Sequence, residues 1–165
     1  MKTQALRGLA GIVLFCLTAL AAAEPSVDLV RVIKSERKLQ LLSEGAVLYE
    51  FKVSLGSNPE GHKLQEGDEK TPEGLYRLDY KKADSSFYKA FHISYPNAQD
   101  LAAAKSRGLN PGNNIMIHGQ KNGWGWLSSV SQDFDWTKGC IALRDSEIDI
   151  MWKLVREGTA VEISP

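Results

Sequence analysis

The sequence is short of cysteine, of net charge and of long apolar runs. Two cysteines occur among 165 residues, too few for a small scaffold stapled by disulfides. Lys and Arg together number 20 and Asp and Glu 20, so the formal charge is zero. That balance lacks the basic footprint of a nucleic-acid or anionic-lipid ligand. The one marked apolar run, Leu9 to Leu20, follows Lys2 and Arg7 and precedes Ala21-Ala22-Ala23. About twelve apolar residues fall short of the roughly 20 needed to span a bilayer. A basic start, a short apolar middle and a small-residue exit read as a secretory signal, residues 1–23, cleaved after Ala23. Cys16 sits inside this run behind Phe15, where a lipoprotein signal carries a small residue. No membrane anchor is therefore expected after cleavage.

The remainder, 24–165, is read as one domain, because no repeat, linker or low-complexity stretch divides it. Signal removal takes two basic residues and no acidic ones, leaving a slight acidic excess. It also leaves Cys140 as a lone thiol in a compartment where cysteines usually pair, and such a thiol needs a reason.

Hydrophobic patterning gives the fold class. Val27–Ile33 is rich in β-branched residues, and Lys38–Leu42 and Val47–Leu55 flank a Ser43-Glu44-Gly45 turn, as in a hairpin. Tyr49, Phe51, Val53 and Leu55 alternate with polar residues, the period of a half-buried strand. Gly56–Glu73 reads as a long polar loop, and Thr71-Pro72-Glu73-Gly74 as a turn feeding the strand Leu75–Tyr80. Asn97 as cap, Asp100 three residues on and Gly108 as stop predict a helix. Ile115–Ile117 and Gly139–Leu143 read as strands. A second helix is capped at Asp145 or Ser146, carries Ile148, Met151, Trp152 and Val155 on one face, and ends at Gly158. Thr159–Ile163 closes the chain as a strand. The expected fold is mainly β with two helices (α+β), and a doubly wound parallel sheet is disfavoured.

The chemistry concentrates in His118-Gly119 and, 22 residues on, in Thr137-Lys138-Gly139-Cys140. A free thiol is only a few per cent ionised at neutral pH, so a nucleophilic cysteine needs a base, a cation or both. His118 can serve as base and Lys138 as cation. Gly139 can bring backbone N–H groups close to a developing oxyanion. On residue types alone, Cys140 is equally readable as a small buried hydrophobe and His118 as a hydrogen-bonded structural residue.

The block "IMIHG", a spacer of about twenty residues and "DWTKGCIAL" resemble the catalytic signature of the L,D-transpeptidases, or YkuD-domain family. "KTPEGLYRL" and "HISYPN" are similar to further family segments, and the likeness runs from about Val27 to Ile163. It implies a YkuD-like β-sandwich or barrel-like catalytic domain without a cofactor or metal. It further implies that Cys140 is the nucleophile, that His118 is the general acid–base, and that Gly139 with Cys140 forms the oxyanion hole. Thr137, Lys138, Gly119 and His92 are implied as substrate-binding residues. The substrate implied is the tetrapeptide stem of peptidoglycan in the bacterial periplasm. Attack at the L-configured centre of diaminopimelate would release D-alanine and leave a thioester, which a stem amine resolves to a 3→3 cross-link. Water would instead make the chain an L,D-carboxypeptidase or amidase, acting on murein peptides or on a wall-attached protein. A non-catalytic wall-binding module is the third reading. Ala142 stands where many members carry Arg, with Arg144 two residues further on, so the resemblance leaves the substrate-carboxylate contact unassigned.

Other residues are weighed and set aside. His62, His92 and His118 are separated by 30 and 26 residues and match no compact metal-ligand motif. His62 is expected to be solvated in its Gly-rich loop. Asp133 and Asp135 are expected in an exposed loop, and Arg31, Lys34, Arg37 and Lys38 on a solvated face. Trp124, Trp126 and Trp136 are readable as core or as a wall for sugar or peptide. The sequence leaves open whether a lid gates the groove; Gly56–Gly67 and Gly119–Trp126 are the segments where one would lie.

Overall fold

A computed structural model describes residues 26–165; the expected signal, with Cys16, lies outside the described residues. Eight strands form one mixed sheet. They are β1 (Leu29–Ile33), β2 (Lys38–Ser43), β3 (Ala46–Lys52), β4 (Gly74–Ser85), β5 (Tyr88–Ile93), β6 (Met116–His118), β7 (Ile141–Ala142) and β8 (Ala160–Ser164). Their spatial order is β3-β2-β1-β8-β4-β5-β6-β7. The helices are α1 (Ala98–Ser106), α2 (Ser128–Ser131) and α3 (Asp145–Leu154). The mainly β class with short helices is as expected. The differences are a third, four-residue helix and an unexpected strand, β5, which pairs with an extended β4.

Local chemistry explains most of the element boundaries. The β2–β3 hairpin turns through Glu44 at φ 50° and Gly45 at φ 80°, the left-handed pair that a tight two-residue turn requires. The Asn97 side chain accepts from Gln99 and Asp100 N–H, while Asp100 accepts from the Asn97 N–H, a complete capping box for α1. Helix α3 starts at Asp145 with Arg144 in the cap position. It ends at Leu154, short of Gly158. Its buried Ile148 and Met151, with Val155 just beyond, enter a core that includes Val30, Leu39, Leu78, Phe91, Ile93, Ile117 and Ile141.

Two features place the site. First, a bulge between Leu78 and Tyr80 reverses the pleat, so Leu78 pairs with buried Ile93 while Tyr80 pairs with His92 on the opposite face. This is why Tyr80 is exposed although Leu78 and Tyr76, two and four residues earlier, are buried. Second, the edge strands β3 and β7 are brought together. Ser54, just past β3, exchanges both backbone hydrogen bonds with Ala142 (3.0 and 2.8 Å), and Thr137 N–H donates to the Leu55 carbonyl at 3.1 Å. The sheet thus curls and closes on the Thr137–Ala142 segment. Unpaired edges are satisfied there, and Cys140 lies on the closing seam.

Candidate active site

Strands β6 and β7 run parallel with Ile117 opposite Ile141 and His118 opposite Ala142. Side chains alternate between the two faces of a sheet. Ile117 and Ile141 fill the core, so His118 and Cys140 project from the other face, one on β6 and one just ahead of β7. Strand pairing thus sets the two residues, 22 apart in sequence, diagonally on one face of adjacent strands.

His118 is buried beneath aromatic rings. Its ring centroid lies 4.6 Å from that of Phe87 and 5.9 Å from that of Trp136. Nδ1 lies 2.7 Å from the Gly119 carbonyl. A carbonyl only accepts, so Nδ1 carries the proton and Nε2 keeps its lone pair. Desolvation under those rings lowers the imidazole pKa to about 4, against a smaller upward pull from the Gly119 carbonyl. At neutral pH His118 is therefore an uncharged base with a fixed tautomer. Gly119 is a glycine because a Cβ there would lie 2.6 Å from Asp145 Oδ1 and 2.9 Å from Tyr88 Cβ. Its part in the site is the carbonyl that orients the imidazole.

Cys140 is half-buried and free. Its Sγ donates to the Asn114 carbonyl at 3.8 Å. Burial pushes the thiol pKa up, while the Met116 amide and the charge of Lys63 pull it down. The thiol lines a groove of about 450 Å³ with Lys63, Glu66, Gly67, Glu69, Asn114 and Lys138 among its walls.

The Thr137–Cys140 loop is fixed from within. Thr137 Oγ1 donates to the Cys140 carbonyl at 2.7 Å and accepts from the Gly139 N–H at 3.1 Å. The Gly139 N–H, expected to serve an oxyanion, is thus already engaged within the loop. Gly139 has φ 117°, and a Cβ would lie 2.6 Å from the Lys70 carbonyl. Thr137 is buried and holds the loop, whereas Lys138 is exposed at the groove. His92 shares a face with Met116 but hydrogen-bonds Asp79 through Nδ1 at 2.7 Å and stacks on Tyr80 at 4.6 Å. The register puts Met116 between it and Cys140 on that face.

Several expectations are corrected. His62 is held between partners: Nδ1 accepts from the Glu73 N–H at 3.0 Å and Nε2 lies 3.1 Å from buried Asp100. Lys34 is buried and bonds the Gly61 and Thr71 carbonyls and Glu73. Arg31, Arg37 and Lys38 keep partly exposed side chains as expected, paired with Glu162, Asp135 and Glu36, and Asp133 is exposed beside Lys52. Asp135 is instead largely covered, and its other oxygen accepts from Leu55 N–H. Trp124 and Trp126 are 54% and 78% exposed, which removes them from the core. Trp136, half-buried, packs on His118 and helps line an apolar cleft of about 370 Å³.

The sequence reading missed Lys63, Asn114 and two buried glutamines. Gln120 Nε2 donates to the Leu143 carbonyl at 2.7 Å and Gln132 Nε2 to that of Ala142 at 3.2 Å. A polar residue inside a loop carries no mark of burial until the loop's partner is known.

Comparisons with known proteins bear on the family and the fold. The sequence model of the YkuD family, the L,D-transpeptidase catalytic domain, matches residues 28–163, and the chain belongs to that family. YafK of Escherichia coli (strain K12), provisionally named as an L,D-transpeptidase, is 33% identical over 112 residues, covering 64% of this chain and 44% of YafK. The helical cell shape determining protein Pgp2 of Campylobacter jejuni superposes with TM-score 0.63 at 27% identity, covering 84% of this chain and 47% of Pgp2. An L,D-transpeptidase from Xylanimonas cellulosilytica shares the fold, with TM-score 0.55 at 15% identity, over 87% of this chain and 63% of that one. The chain spans about half the length of YafK and Pgp2.

Proposed function

We propose that the chain is an exported, periplasmic cysteine L,D-transpeptidase acting on peptidoglycan tetrapeptide stems. The observation that carries this reading is the His118 imidazole, neutral and with Nε2 free, on the strand beside a thiol that opens to a groove. His118 Nε2 takes the thiol proton as Cys140 Sγ attacks the carbonyl of the L-centre of diaminopimelate. The oxyanion is met by the Cys140 N–H. Collapse breaks the C–N bond, the departing D-alanine amine takes the proton from the imidazolium, and a thioester remains. An acceptor amine then attacks, gives its proton to His118, and the thiol leaves with that proton. The new amide draws on the thioester, so no nucleotide is consumed.

Within this reading Thr137, Gly139 and Gly119 position the two reacting side chains, and Lys138 at the groove meets the stem. Among the described residues no helix is long and apolar enough to cross a membrane. Pgp2's name ties that relative to cell shape, which we extend to this chain as wall remodelling.

Incubation with disaccharide-tetrapeptide followed by mass spectrometry tests the reaction. A dimer lighter than two monomers by one D-alanine, absent with Cys140→Ala, supports transfer. Cys140-dependent tripeptide without dimer replaces transfer with hydrolysis.

A further inference from the structure

We propose that Lys63 is the cation that holds negative charge on the Cys140 sulfur, a role no motif in the sequence assigns. The inference deepens the reading of Cys140 as nucleophile and rests on it. A thiol in a desolvated position is a poor nucleophile unless positive charge stabilises its anion. The residue two places after it, Ala142, is fully buried and apolar. The exposed Lys138 is free to swing into water and is screened there.

Lys63 differs on each count. It is 3% exposed, yet it lines the same groove as Cys140. Its Nζ donates to the Gln65 carbonyl at 3.0 Å and to Asp68 Oδ1 at 2.8 Å. An ammonium has three N–H groups, so one remains uncommitted. The counter-ion is heavily subscribed: Asp68 also accepts from the N–H groups of Leu64, Gln65 and Lys70. Those donors draw off carboxylate charge and would hold Asp68 in place without the lysine. The result is a fixed charge, itself shielded from water, in the wall of the groove that the sulfur lines, where its field is less screened than that of an exposed lysine. The other charged groups facing the groove are Glu66, Glu69 and Lys138, with His118 on the neighbouring strand.

The test is the pH dependence of iodoacetamide alkylation in the full chain, with the adduct mapped to Cys140. Lys63→Met is expected to move the alkylation midpoint up by about one unit, roughly a tenfold loss of thiolate at neutral pH. Lys63→Arg should restore most of it, which a packing role would not do. A Lys63→Met chain with native thermal unfolding and an unchanged midpoint overturns the proposal. Should that variant not fold, Asp68→Asn tests the claim from the other side. Removal of the counter-charge is expected to lower the midpoint, and no change overturns the proposal. Because alkylation reads the thiol itself, failure here removes Lys63 and leaves Cys140 as nucleophile. Absence of Cys140-dependent D-alanine release does the reverse.

Discussion

Gly56 and Gly139 touch back to back: a Cβ on Gly56 would lie 3.0 Å from the Gly139 Cα and 2.0 Å from the Glu69 carbonyl oxygen. The contact joins the residue after the closing β3 extension to the residue before the thiol. The Gly56 N–H is held in turn by Thr71 Oγ1 at 3.1 Å, and the Thr71 carbonyl by the buried Lys34 ammonium at 3.0 Å. The thiol loop is therefore positioned by a chain of contacts that begins at the end of β1.

Gly56→Ala is expected to cost about 3 kcal/mol or more, because the clash is with backbone that cannot rotate away. Gly45→Ala meets open space but needs φ 80°, so it should cost only about 1 kcal/mol. Denaturant midpoints compare the two. Equal losses would contradict the steric reading of Gly56.

Lys34→Met should destabilise the fold by about 3 kcal/mol, since it strands the Glu73 carboxylate and two carbonyls that the ammonium now satisfies. The same change at exposed Lys138 should alter unfolding by under about 0.5 kcal/mol. Urea titration of both variants checks the contrast.

Thr137→Val keeps the shape but removes the hydroxyl that bridges Gly139 N–H and the Cys140 carbonyl. Two buried backbone groups lose their partner, at about 1–3 kcal/mol. The rate of D-alanine release should fall about tenfold or more, with KM changed far less, because the loop positions the sulfur and Lys138 still meets the stem. A pure KM effect would make Thr137 a substrate contact.

His118 couples stability to pH. Its folded pKa, about 4, lies below the ordinary histidine value of about 6.5. The unfolded chain therefore binds the proton more readily between those values, and stability falls as pH drops from about 6.5 to 4, by up to about 3 kcal/mol. Above about pH 6.5 this contribution is fully present. Thermal unfolding across that window should be steep in the native chain and flatter in His118→Gln. Trp136→Ala should admit water to the imidazole and move its titration upward, readable by the ring-proton NMR shift.

How much of this was legible in the sequence follows a physical division. Local signals were read well: Asn97 and Asp100 cap α1, Glu44-Gly45 turns the hairpin, and Ile148, Met151 and Val155 face the core. The motif names His118 and Cys140, and what the structure adds is that β6 and β7 set the two residues on one face. What escaped was set by distant partners. Lys34 and His62 read as solvated surface and loop residues and are held by Glu73 and Asp100, and Lys63, unmarked in the sequence, is held by Asp68. Strand β5 escaped because it is short and mixed in polarity, and only its pairing with β4 and β6 defines it.

D-alanine release from disaccharide-tetrapeptide, measured for the native chain and for Cys140→Ala with matched thermal unfolding, tests the central claim most directly. The account predicts release by the native chain and none by the variant. Release that persists without the thiol, or a folded native chain that releases nothing, would contradict it.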